Sequence, residues 1–437
     1  MVMKKLFILL LFVPFLIVKA EVRDGYIDQI TITVNDTNVS KLSDNNYNTY
    51  LRMDANDEIK INSQQEFNYV YIIYYIEAKK GIINYNDTAK NVGENNFLHE
   101  CVKLESKTNE VILIYDESVA IKEIFLFNDP LPNWVQTWEL PYEKADVVLF
   151  STHSDDEHLF FAGLIPTMIA NGKKIQVVYL TNHNDNPKRL DEQLNGLWAV
   201  GVRNYPVLGT FPDAYSTSLK GATNNLIYQS YTFDDVVEFE LDIIKRFKPS
   251  IVVNHDENGE YGHGQHILNT EALKEALNLL SEEEKPYKVY LHLYKENPIV
   301  MNYDIPLEYY NGMSAYEVSK LGYAEHVSQH YTWFTDWLLG KNDNFTTATQ
   351  IKTYSPLEFG LYYSKVGYEN NDGDMFYNIP EEIKEEVIED ESIDSVTEEI
   401  KEVHDKENGH NYNYLYFIGT GILTILIIIL LLTKKKH

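Results

Sequence analysis

From residue 143 onward the sequence alternates short, wholly apolar runs with helix-length amphipathic stretches, and few folds accept that alternation. The segments 147–150, 174–180, 251–254 and 288–293 read as buried strands. The segments 158–171, 189–200, 233–247 and 266–280 read as helices. A strand with no polar face must be covered on both sides, which crossover helices between parallel strands provide. The pattern therefore predicts an α/β fold with a Rossmann-like, doubly wound parallel sheet over residues 141–380. In such sheets ligands bind beyond the carboxyl ends of the strands. The places to look are just after Phe150 and just after Asn254.

After the first strand comes Ser151-Thr152-His153-Ser154-Asp155-Asp156-Glu157, and after the later one the run from His255 to His266. Both crowd metal-capable side chains where the fold puts its ligands. His153 and Asp156, three apart in a turn entering a helix, can converge on one ion, and a histidine of the second loop completes an N/O/N set. Three protein ligands with an open position is the arrangement of catalytic rather than structural zinc. Such an ion lowers the pKa of its water, and Asp155 stands where a carboxylate can take the proton.

Each motif alone has a plainer reading. Paired acids after a strand often cap a helix, and H-x-x-H at a helix start is often a solvated face. Their coincidence at two strand ends of one sheet favours a metal hydrolase. His326 and His330, spaced i, i+4 with no carboxylate in the run HVSQHYTW, read as a packed or solvated helix face. His158 and His292 read as core, and Trp333 and Trp337 as either a sugar platform or core.

Charge and cysteine content narrow the function further. There are 66 acidic and 37 basic residues, a net charge of −29, which repels a phosphate backbone and excludes nucleic acid as a partner. The single cysteine, Cys101, excludes an intrachain disulfide framework and a thiolate zinc cluster. It reads as a buried, inert thiol.

Residues 21–140 carry short alternating runs separated by Asn-, Asp- and Gly-containing turns, the texture of an all-β sandwich. At the N-terminus, residues 1–20 read as a signal peptide, with Lys4 and Lys5 before the apolar stretch 6–18 and Val18-Lys19-Ala20 as cleavage pattern. Residues 414–433 carry no charge and are long enough to cross about 30 Å of hydrocarbon. Lys434, Lys435 and Lys436 follow, which keeps the tail 434–437 in the cytoplasm. Between body and span, 381–413 reads as an acidic stalk; residues 381–408 hold 13 acids and three lysines. The expectation is a single-pass, membrane-anchored protein whose body is extracytoplasmic, at a cell surface or, in a eukaryote, in the ER lumen.

The motifs also carry a resemblance. VVLFSTHSDDEHLFFAG resembles the first motif of the PIG-L/LmbE-like de-N-acetylases, GEYGHGQH resembles their second, and RLDEQLNGLWAVGV between them resembles a family helix; the likeness covers roughly residues 145–370. It implies a zinc-dependent amidase, with zinc or another divalent ion on His153, Asp156 and His266. By the same likeness Asp155 matches the general base and His263 the group that stabilises the oxyanion or protonates the leaving amine. Tyr261 and Arg189 match substrate-contacting positions. Ser154 and the pair Gly264-Gln265 depart from the family pattern, without removing a ligand. The implied substrate is an N-acetylated amino sugar of the N-acetylglucosamine type, in a glycoconjugate or polysaccharide. More weakly, LSDNNYNTYLRMDANDEIKI resembles the opening of discoidin-type carbohydrate-binding sandwiches. Two rival functions stand beside this reading: a non-catalytic carbohydrate-binding surface protein on the same fold, and an amidase acting on a non-sugar amide.

Overall fold

The structure is a computed structural model that describes residues 23–330 and 333–380. The segments assigned above to the signal peptide, the stalk, the membrane span and the tail lie outside the described residues. Among those residues no helix is long and apolar enough to cross a membrane.

Eight strands come first: β1 (Ile30–Val34), β2 (Thr37–Asn38), β3 (Leu51–Met53), β4 (Ile59–Tyr74), β5 (Gly81–Tyr85), β6 (Thr88–Val92), β7 (His99–Tyr115) and β8 (Val119–Phe127). They form one antiparallel sheet ordered β2-β1-β4-β7-β5-β6, with β8 on β4 and β3 on β8. β4 is one long strand that passes through polar residues 63–66 and shifts register against β7 between Asn62 and Tyr69. Both halves of β4 still share a core, with Ile59 and Ile61 from one and Val70 and Ile72 from the other. Backbone hydrogen bonds join these strands into one sheet whose long strands are interrupted by bulges and whose two halves pack on a shared core.

The second sheet holds β9 (Val147–Ser151), β10 (Ile175–Thr181), β11 (Val207–Phe211), β12 (Ile251–Asn254), β13 (Lys288–His292), β14 (Pro298–Val300) and β15 (Glu358–Ser364). Its order is β11-β10-β9-β12-β13-β15-β14. The first five strands are parallel, while β15 runs antiparallel to both β13 and β14. The sheet is therefore mixed rather than wholly parallel, because the chain re-enters it from a long excursion on the β13 side instead of through a crossover helix.

The helices are α1 (Asp156–Leu159), α2 (Leu164–Ala170), α3 (Lys188–Ala199), α4 (Leu219–Tyr228), α5 (Phe233–Phe247), α6 (Gly264–Leu279), α7 (Ala315–Ala324) and α8 (Phe334–Leu339). They cover both faces. Val147 and Leu149 of β9 pack with Leu164, Leu194 and Leu197, whereas Val148 and Phe150 pack with Ile243, Ile244 and Leu273. That is the period-2 alternation of a strand buried on both sides. The single helix expected over 158–171 is broken into α1 and α2. Gly163 has φ 92°, and a Cβ there would stand 2.3 Å from the Tyr303 ring, so only glycine lets the chain pass. Strand order reverses around β9, which opens a crevice at the carboxyl ends of β9 and β12.

Candidate active site

The chain leaves β9 through a strained turn. Asp155 has φ 114° and ψ −27°, a conformation that non-glycine residues rarely adopt. The turn starts α1 at Asp156. His153, Asp155 and Asp156 line a cavity of about 340 Å³ together with Arg189, Asp213, Tyr215, Tyr261, His263 and Trp333. His266, on α6, is fully buried beside it.

Three ligand atoms form a near-equilateral triangle. His153 Nδ1 lies 3.2 Å from Asp156 Oδ2 and 3.2 Å from His266 Nε2, and His266 Nε2 lies 3.3 Å from Asp156 Oδ2. Ligands about 2.0–2.1 Å from a tetrahedral zinc ion are separated by roughly 3.4 Å, so the triangle fits such an ion.

Neighbouring groups fix which nitrogens face the centre. Gln265 donates its amide hydrogen to the Pro212 carbonyl (2.9 Å), so its Oε1 faces His153 Nε2 at 3.0 Å and accepts that ring hydrogen. His153 Nδ1 is left with its lone pair. His266 Nδ1 donates to Glu260 Oε2 at 2.6 Å, which leaves Nε2 free. Orienting bonds of this kind accompany most metal-ligating histidines.

Two other histidines stand close enough to ligate, and the same reasoning argues against both. His263, His153 and His266 could bring three nitrogens to one ion. However, His263 caps α6, its Nδ1 accepting the Gln265 N–H at 3.2 Å, so the ring hydrogen sits on Nε2. His255 Nε2 accepts the Thr152 N–H at 3.1 Å while its Nδ1 donates to Glu260 at 2.9 Å.

Glu260 is the hub beneath the site. Fully buried, it takes His266 and His255 on Oε2 and His292 on Oε1 at 2.6 Å. Burial alone would raise its pKa, but His255, His266 and His292 hold it well below the usual carboxylate range. Asp156 behaves alike: burial is outweighed by His266 and His153, and the carboxyl is held well below its ordinary value. Asp155 goes the other way. Burial drives its carboxyl well above the usual range, with Asp156 and Glu157 adding to the rise and Arg189 opposing it. Arg189 Nη2 lies 3.2 Å from Asp155 Oδ1 and also donates to the Ser154 carbonyl, while Nη1 donates to Asp213 Oδ2 at 3.0 Å. Burial lowers the pKa of His263, and His266 and His153 lower it further.

The rim is aromatic. Tyr261, with φ 47°, packs its ring 5.8 Å from Trp333, 5.3 Å from Phe334 and 5.4 Å from Trp337. Tyr215, largely exposed, meets His263 edge-on at 5.1 Å.

All seven residues singled out from the sequence thus gather here: His153, Asp155, Asp156, Arg189, Tyr261 and His263 on the cavity wall, and His266 behind it. Sequence reasoning missed others. Asp213 follows β11, a strand with an internal glycine between prolines that the apolar-run criterion passes over. His183 follows β10; the strand-end rule, applied a third time, finds it. Its Nε2 accepts the Ser154 N–H at 2.9 Å. Gln265, noted in the sequence only as a departure from the family pattern, holds His153. His326, expected on a helix face with His330, is instead fully buried beyond the end of α7 against Glu157. A short 3₁₀ turn, Val327–Gln329, separates it from His330.

Residues 148–277 match the PIG-L family model, described as GlcNAc-PI de-N-acetylase. A 1D-myo-inositol 2-acetamido-2-deoxy-alpha-D-glucopyranoside deacetylase of Thermobispora bispora is 24% identical over 143 residues, 28% of this chain and 47% of the relative. Its counterpart in Geodermatophilus obscurus is 25% identical over 144 residues, 28% of this chain and 49% of the relative. The matched stretch spans about half the length of these relatives. Among solved structures, a deacetylase of the teicoplanin biosynthesis pathway covers 49% of this chain and 96% of its own length at 16% identity, with a TM-score of 0.34. The family match begins beyond the first sheet and so says nothing of the discoidin-like reading of that part. The chain carries a PIG-L family domain, and the cavity is built within and around it.

Proposed function

We propose that the chain is a zinc-dependent de-N-acetylase that hydrolyses the acetamide of an N-acetylated amino sugar, of the N-acetylglucosamine type, in an extracytoplasmic glycoconjugate or polysaccharide. The observation that carries this is the 3.2–3.3 Å triangle of His153, Asp156 and His266 with the Asp155 carboxyl beside it in one cavity. A divalent ion held by those three side chains supplies Lewis acidity and a water of lowered pKa.

The chain's own residues do the rest. Asp155, its pKa raised by burial, is suited to take a proton from the attacking water and return it to the amide nitrogen. Arg189 holds that carboxyl in place. His263, with its hydrogen on Nε2, offers a donor to the oxygen that becomes negative as water adds to the carbonyl. Collapse of the adduct breaks the C–N bond and releases acetate and the free amine. Tyr261 and Trp333 supply aromatic surface on the cavity wall against which a pyranose can pack. The charge-free run 414–433 with its trailing lysines supports an extracytoplasmic site.

The test is acetate release from N-acetylglucosamine-containing oligosaccharides by the purified full chain, its loss on chelation and its return with zinc. Hydrolysis of simple amides but of no amino sugar would move the reading to a non-sugar amidase. No hydrolysis of either by metal-loaded protein would sink it.

A further inference from the structure

Behind the first loop lies a second group of metal-capable side chains that the proposed chemistry leaves unused. Glu157 and His158, adjacent on α1, meet His326 just past the end of α7, and all three are essentially inaccessible to solvent. Glu157 Oε1 lies 3.2 Å from His326 Nε2 and 3.6 Å from His158 Nε2. One donor atom from each of the three falls within 4.8 Å of the others.

Proximity here is not hydrogen bonding. Among the described residues, His326 Nε2, both ring nitrogens of His158 and Glu157 Oε1 meet no hydrogen-bond geometry, while the buried Tyr179 hydroxyl lies near the Glu157 carboxyl. Polar groups left unpaired in a core are costly, so a group of this kind calls for an occupant. The remaining atoms are already committed. Glu157 Oε2 accepts the Asp155 N–H at 2.9 Å. Ser154 Oγ donates to the Arg189 carbonyl at 3.0 Å, so His326 Nδ1, in a long 3.5 Å contact with that oxygen, is the donor between them. The lone pair of His326 then lies on Nε2, facing Glu157.

Two helices also present bare backbone to the group. A Cβ on Gly196 of α3 would stand 2.8 Å from His326 Nε2 and 3.0 Å from His158 Nε2, and one on Gly322 of α7 would stand 2.3 Å from the His158 ring. Any side chain at Gly196 would therefore fill the space that the two Nε2 atoms share.

We propose that Glu157, His158 and His326 form a second divalent-metal site, buried and built from ligands distinct from His153, Asp156 and His266. Two imidazole nitrogens and one carboxylate oxygen favour a borderline ion such as zinc. The ion ties α1 to the end of α7 and steadies the carboxylate that holds the backbone of Asp155.

The test uses the full chain equilibrated with buffered zinc and then dialysed, with metal counted by elemental analysis. Two ions per chain are expected for the native protein, one for His153→Ala/His266→Ala, and one for His158→Leu/His326→Leu. The first double variant decides the matter even where the second fails to fold. Retention of one zinc, with a melting temperature that rises when zinc is added, supports the site. Loss of all zinc from that variant, with one ion in the native protein, would overturn the proposal. The two variants lose different ions, so failure here is distinct from failure of the de-N-acetylase reading.

Discussion

Lys122 Nζ on β8 lies 2.5 Å from Asp191 Oδ2 on α3, and both side chains are almost wholly shielded from water. His99 Nε2 on β7 approaches Asp191 Oδ1 at 3.0 Å. The first sheet thus grips the helix that carries Arg189, two residues before Asp191. Removing one partner of a buried ion pair strands the other, at a cost of about 3–5 kcal/mol, whereas replacing both with apolar groups is often close to neutral. Lys122→Met is therefore expected to destabilise by about that much in urea unfolding, and Lys122→Met/Asp191→Leu to recover most of it. A chain beginning near Pro130 loses both partners of Asp191 and is expected to aggregate; a truncated protein that melts like the full chain would show the grip to be dispensable.

Substitutions at the cavity should separate metal binding from turnover. His266→Ala removes a ligand, so zinc should fall away on dialysis and activity with it. His263→Ala should keep the metal and lose roughly 10²–10³ in kcat, the usual cost of one oxyanion donor. Asp155→Asn should also keep the metal and lose roughly 10²–10⁴. Elemental analysis beside kcat reads all three; metal lost from His263→Ala and kept by His266→Ala would reverse the ligand assignment.

Glu260 touches no substrate but sets the ring of His266. Glu260→Gln can no longer accept all three histidines, and metal affinity should drop by about 10–100-fold. Gln265→Ala, which frees the ring of His153, should weaken the metal in the same direction. Competition with a chelator measures both, and unchanged affinity would show that packing alone orients the rings.

Glu240, on α5, is fully buried, and among the described residues neither carboxylate oxygen has a partner. Burial alone raises its pKa well above the ordinary carboxylate value. The folded protein then keeps a proton that the unfolded chain releases above about pH 4.3. The stability this proton contributes is complete at lower pH and declines as pH rises toward the folded value. Glu240→Leu should remove that decline, with a gain of about 1–3 kcal/mol at pH 8 and less at pH 5. Thermal melts at the two pH values decide it; equal gains at both would mean that the carboxyl is charged throughout.

What the sequence reveals depends on whether the signal is local. Strands such as 147–150 and 251–254 are apolar throughout because helices cover both faces, so runs and strand ends locate His153, Asp155, Asp156 and His266 directly. β4 conceals itself behind the polar residues of its bulge. β14 is three residues long, and β15 pairs antiparallel after a long excursion, so neither follows the period of the strands before it. The partnership of Glu157 with His326 has no local trace, since those residues meet only through the packing of α1 against α7. Gln265 was visible as a departure from the family pattern, but its purpose required the ring nitrogen that it faces.

The placing of the aromatic residues also gives the chain an optical reporter. Of its five tryptophans, Trp134, Trp138 and Trp198 are buried, whereas Trp333 is 59% exposed at the cavity mouth and Trp337 packs against Tyr261. A soluble quencher such as iodide reaches Trp333 and leaves the buried three untouched. A sugar seated at the mouth would shield that one indole, so occupancy is readable as lost quenching, in unlabelled protein and without turnover.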